Sequence, residues 1–153
     1  MPGRWVVALL LLWVPLALAQ APVVQAQGEV RYVSGGIGLG ERLALAAMHA
    51  EFNVHMSFAV KRAGNFLADV AVQVEDAAGR EVLGATSEGP WLYARLAPGR
   101  YRLRASYAGK SQMRAFQVHA GRHTELYLYL DDPAADEGRG MAPERSAPAK
   151  QRQ

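Results

Sequence analysis

The 153-residue chain contains no cysteine. That absence excludes a disulfide framework, a thiolate zinc site and a catalytic thiol. It also excludes the lipid-modified N-terminal cysteine that anchors many exported bacterial proteins. Charge of one sign is scarce: 17 basic residues against 14 acidic ones leave a formal net charge of +3. This is not the concentrated basic footprint of a nucleic-acid binder, and no nucleic-acid partner is expected. Nucleotide-binding motifs are missing as well. "SGGIGLGERL" carries glycines at 35, 36, 38 and 40 ahead of a helix-forming stretch. A Gly-x-Gly-x-x-Gly fingerprint, however, requires a third glycine where Glu41 stands, and the Gly-Lys-Ser/Thr of a phosphate loop is absent. The glycines therefore read as a bend. No Ser-His-Asp order, carboxylate pair or glycine-flanked nucleophile is present to carry catalysis. A non-enzymatic protein without a cofactor is expected.

Long apolar runs are confined to the N-terminus. "MPGRWVVALLLLWVPLALAQAP" combines a basic Arg4, an apolar run from Trp5 to about Leu18, and the small-x-small triplet Ala17-Leu18-Ala19. The pattern predicts a signal peptide over residues 1–19, cleaved after Ala19. The run is shorter than the ~20 residues of a spanning helix, and Pro15 interrupts it. The mature protein is expected to be periplasmic or secreted, with no transmembrane anchor.

Residues 20–53 divide into a flexible arm over 20–29, a strand or packed tether at "VRYV", the glycine bend, and a helix from about Leu39 to Phe52. Ala, Leu, Glu, Arg and Met dominate that helix, all strong helix formers. Its apolar residues fall on two faces: Leu39, Leu43, Ala47 and Ala50 on one, Leu45, Met48 and Phe52 nearly opposite. Such a helix is wedged between elements or covered by a second chain, so a homodimer through residues 39–52 is one expectation.

From Val54 the hydrophobic period changes from 3.6 to 2. "VHMSFAV", "LADVAVQVE", "EVLGAT", "WLYARL", "RYRLRASY", "SQMRAFQV" and "HTELYLYL" read as seven short strands, most of them separated by turns that hold Gly or Pro. Regular spacing of this kind predicts a mainly β fold over residues 54–130: a seven-stranded antiparallel sandwich with Greek-key connections, preceded by one helix. Residues 131–153 hold one methionine as their only large apolar side chain and are expected to be disordered.

The segment "TSEGPWLYARLAPGRYRLRASYAG" resembles the carboxypeptidase regulatory-like domains, which have a transthyretin-like sandwich. The matching positions are Gly89, Trp91, Tyr93, Leu96, Pro98-Gly99, Tyr101 and Leu103. Trp91 and Tyr93 share a face, which Leu96 rejoins only if a bulge shifts the parity. The resemblance covers roughly residues 54–130 and implies the sandwich more than an activity, since such domains accompany many functions. A hydrolase of transthyretin-like fold is one alternative it implies, but the C-terminal signature of that activity is not present.

Arg100, Arg102 and Arg104 alternate along one strand and form a ridge about 13 Å long at ~3.3 Å per residue, which Arg95 and Arg114 would extend. The ridge offers a docking surface for an acidic protein, glycan or lipid headgroup, or simply keeps a strand face solvated. Tyr127 and Tyr129 lie opposite the leucines of the last strand and need cover; the helix is expected to supply it, with a partner protein or second copy as the alternative. His119 and His123 span a turn, and the four histidines, His49 and His55 included, read as surface residues rather than metal ligands. The sequence thus points to a module that binds a protein or envelope component, or to a structural, homodimeric scaffold.

Overall fold

The computed structural model describes residues 21–134, so the predicted signal peptide and most of the predicted disordered tail lie outside the described residues. Nine strands and one α-helix follow one another in this range: β1 (Gln25–Gln27), β2 (Val30–Gly35), α1 (Leu39–Met48), β3 (Val54–Val60), β4 (Ala71–Asp76), β5 (Glu81–Thr86), β6 (Trp91–Arg95), β7 (Gly99–Tyr107), β8 (Lys110–Val118) and β9 (Thr124–Leu130), with a short 3-10 turn over His49–Glu51. The fold is mainly β. A first sheet has the order β1-β2-β6-β3-β9 and a second the order β5-β4-β7-β8.

Alternation builds the core. Val54, Met56, Phe58 and Val60 of β3 and Leu126, Leu128 and Leu130 of β9 point from the first sheet toward Val72 and Val74 of β4 and Leu103 and Ala105 of β7. Leu92 and Ala94 join them from β6, and Leu96 from just beyond its end. Trp91 and Tyr93 therefore occupy the other face, and Leu96 does not rejoin them; plain alternation puts it in the core without a bulge. The β7 hydroxyl of Tyr101 donates to the Ala97 carbonyl at 2.8 Å and closes the "APG" turn.

Two features depart from the sequence expectation. The strands number nine among the described residues, because the arm is not free: β1 pairs with β2, and β2 pairs with β6 through Arg31↔Arg95 to Gly35↔Trp91. The sandwich is also not wholly antiparallel. β3 and β9 run parallel, with Val54↔Thr124 and His55↔Glu125 in register. Such a pairing joins segments some seventy residues apart, and no local pattern in either strand announces it.

The predicted helix ends earlier than Phe52. The backbone tightens into the 3-10 turn after Met48, and Phe52 is already extended. One of its two apolar faces meets the sheet: Leu45 and Met48, with Phe52 beyond, pack on Val33 and Tyr93 of the first sheet's outer side. Leu39 and Leu43 remain exposed. At its start, Gly35 and Gly36 adopt positive φ, and the Gly36 Cα rests against the Trp91 ring, where a Cβ would come within 3.2 Å. The Glu41 carboxylate reaches back to accept hydrogen bonds from the Gly36 and Ile37 amides at 3.0 and 3.1 Å. The loop amides of Gly36 and Ile37 are thus held by the helix's own third residue, not left open for an anion.

Candidate functional site

The outer face of the first sheet carries the site. Pairing lays its side chains in rows. One row runs Val33, Tyr93, His55, Glu125 across β2, β6, β3 and β9; the next runs Gly35, Trp91, Ser57, Tyr127. α1 covers the β2 and β6 end of these rows. Beyond its C-terminus the sheet is open, and a groove of about 440 Å³ lies between the 3-10 turn and β9, floored by Ser57, Trp91, Tyr93 and Tyr127. The side chains of Phe66, Tyr127 and Tyr129 border it and are 61, 58 and 53% exposed. The expected cover of Tyr127 and Tyr129 by the helix is therefore not formed. The helix packs instead on Val33 of β2 and on Trp91 and Tyr93 of β6.

One end of the groove is polar. His49 comes from the 3-10 turn, His55 from β3 and His123 from the turn before β9. Their rings stack nearly parallel, with centroids 3.8 Å apart for His49 and His55, 5.1 Å for His49 and His123, and 5.3 Å for His55 and His123. His55 is only 2% exposed. Its Nε2 faces the His49 carbonyl at 3.1 Å and its Nδ1 faces the Glu125 carboxylate at 2.7 Å. The carbonyl only accepts, so Nε2 is the donor there, and Nδ1 shares a hydrogen bond with the carboxylate. The same carboxylate oxygen is 3.4 Å from the His49 Nε2. Tyr93 sets its ring edge-on against His55, centroids 4.5 Å apart. Burial raises the Tyr93 phenol above its usual range, and the nearby Glu125 charge and Tyr127 push the same way.

Asn53 fixes this end of the sheet. Its side-chain amide donates to the Leu96 carbonyl at 2.8 Å and accepts from the Leu96 amide at 2.9 Å. Its own carbonyl accepts the Thr124 amide at 2.8 Å. One residue therefore ties the start of β3 to the exit of β6 and the beginning of β9, which carry His55, Tyr93 and Glu125.

The sequence places the four histidines at the surface, but His55 is buried. The structure instead assembles His123 with His49 and His55, and adds Glu125, none of which stood out as a site. The only local signal was parity: His55 and Glu125 interrupt apolar strands at outward positions.

The arginines divide among three surfaces. Arg100, Arg102 and Arg104 share the exposed outer face of the second sheet, as alternation requires. Arg102 faces Glu75 of β4 at 4.0 Å, which partly offsets the ridge. Arg114 does not extend it. It stands opposite Leu103 in the β7–β8 register, on the face that bears the core residues. Arg95 belongs to the first sheet and donates to the Glu51 carbonyl at 2.9 Å.

No known family model matches the chain, nor does any curated protein. Among the described residues no helix is long and apolar enough to cross a membrane.

Proposed function

We propose that the protein is an exported, non-enzymatic binding module that engages a protein partner through the open half of the first sheet's outer face. The reading takes residues 1–19 as a signal peptide cleaved after Ala19 and places the mature chain in the periplasm or outside the cell. It takes the sandwich as a Greek-key, transthyretin-like domain of the carboxypeptidase regulatory-like kind. The observation that carries the reading is the groove itself. Trp91, Tyr93 and Tyr127 floor a concave, largely apolar surface, and exposed Phe66 and Tyr129 flank it. Clustered aromatics of this kind favour an apolar or aromatic side chain of a partner. The arginine ridge is the competing surface, weakened by Glu75 opposite Arg102.

Trp91 is the sole tryptophan of residues 21–134 and lines the groove, so its fluorescence reports occupancy. Peptides selected from a random displayed library against the exported protein should be rich in aromatic residues and shift Trp91 emission. Replacing both tyrosines, Tyr127→Ser with Tyr129→Ser, should weaken them at least tenfold, while the triple change Arg100→Ser, Arg102→Ser and Arg104→Ser should leave them within twofold. The reverse pattern would move the binding surface to the ridge. Mass spectrometry of the exported chain should find Gln20 at its N-terminus; an uncleaved chain would remove the export reading.

A structural, homodimeric scaffold is the second reading. It draws support from Ile37, Leu39 and Leu43, which remain exposed on and just before the helix face turned away from the sheet. A strict monomer in sedimentation at high concentration would exclude it. Hydrolysis by a transthyretin-like sandwich rests on the resemblance alone.

A further inference from the structure

The histidine cluster has a composition that packing does not explain. Three imidazoles, drawn from the 3-10 turn, β3 and the turn before β9, bring one ring nitrogen each to within 4.8 Å of one another. Apolar rings would stack as well at this edge of the groove without a carboxylate beside them. We propose that His49, His55 and His123 bind a single divalent transition-metal ion of the zinc or copper type, with Glu125 supporting the site. This stands independently of the peptide-binding reading.

Chemistry and geometry both bear on it. An all-imidazole donor set suits zinc, copper and nickel, whereas magnesium and calcium prefer oxygen. Glu125 Oε1 holds His55 Nδ1 at 2.7 Å, the carboxylate–histidine relation that orients metal ligands and raises their basicity. It also offsets the charge of a dication. Tyr93 walls His55 on one side, so that ring cannot swing away. His49 and His123 are exposed.

The cluster is gathered but not yet aimed. An ion about 2.0–2.1 Å from each nitrogen places those nitrogens about 3.3 Å apart in a tetrahedral site. The rings are also near-parallel, at 15–27°, and in-plane lone pairs of parallel rings do not converge. Closure therefore requires rotamer changes at His49 and His123 around a His55 that stays in place. Coordination frees one His55 nitrogen from its hydrogen bond and releases that nitrogen's proton to solvent.

The test uses the purified protein without a histidine tag, titrated calorimetrically with Zn²⁺ and with Cu²⁺. One equivalent should bind, and millimolar Mg²⁺ should not displace it. His49→Ala and His123→Ala, both at the surface, should each weaken binding at least tenfold, whereas His119→Ala, outside the cluster, should not change it. The Cu²⁺ spin-resonance spectrum should show coupling to several imidazole nitrogens and lose part of it in either variant. Circular dichroism confirms that each variant is folded. Equal affinity in wild type, His49→Ala and His123→Ala, or binding displaced by Mg²⁺, would overturn the proposal. Peptide binding with unchanged Trp91 response in His123→Ala would leave the groove reading intact whatever the metal result.

Discussion

The outer face of the first sheet is two surfaces in one. Toward β2 and β6, α1 presses Leu45 and Met48 onto Val33 and Tyr93, and Phe52 is sealed beneath. Toward β3 and β9, the same alternating pattern leaves Tyr127 and Tyr129 open. The two halves have similar sequence character, with aromatic or branched residues at outward positions. They differ in what the tether allows. The Gly35–Gly36 bend drops the helix directly on the strand it leaves, and its contacts fall on β2 and β6. The covered half is a second, smaller core, while the open half retains aromatic surface together with the polar cluster where the two halves meet.

The sharpest way to break this contrast is to unseat the helix. Phe52→Ala should destabilise the fold by about 3–5 kcal/mol in denaturant unfolding, as expected for a fully buried aromatic. Tyr129→Ala on the open half should stay within about 0.5 kcal/mol. Equal costs would mean that the open half is also part of the folded core. Asn53→Ala comes next. It removes two hydrogen bonds to Leu96 at the junction and should cost about 2 kcal/mol at roughly 1 kcal/mol each; an unchanged unfolding midpoint would deny Asn53 its tying role. The smallest effect is the alkaline limb. Below about pH 10 the Tyr93 phenol is neutral in both folded and unfolded chains, so it adds no pH dependence. Above that, the unfolded phenol ionises first, because its folded counterpart is raised by burial and by Glu125. Stability should therefore fall as pH climbs through the raised folded value. Tyr93→Phe should flatten that limb in part, since Tyr101 is raised by burial too and adds its own share. A limb unchanged by Tyr93→Phe would show that Tyr93 is not the group being titrated.

Local chemistry made much of the fold legible. Period-2 alternation marked "VHMSFAV" and "HTELYLYL" as strands with the correct inward faces, because side chains on a strand must alternate. The same rule placed Arg100, Arg102 and Arg104 together and outward. It failed for Arg114, since the register of β8 is set by pairing with β7 and not by its own weak pattern of Met113 and Phe116. It also failed for the arm, where "QAQ" is too short and polar to announce β1 and forms a strand only because β2 offers an edge.

Composition and periodicity by themselves determined that this chain builds mainly β structure with one helix near its start, that no thiol chemistry is available, and that the glycine run is a bend. These follow from single residues and their near neighbours. Which helix face is buried, which tyrosines stay open and which histidines meet were decided only by tertiary structure. The helix face is chosen by β2 and β6, and the histidine cluster by the parallel β3–β9 pairing, which sets His55 beside Glu125, two residues from His123. Contacts of that range close long loops, and their partners are chosen by the packing of the whole sandwich, not by the residues on either side.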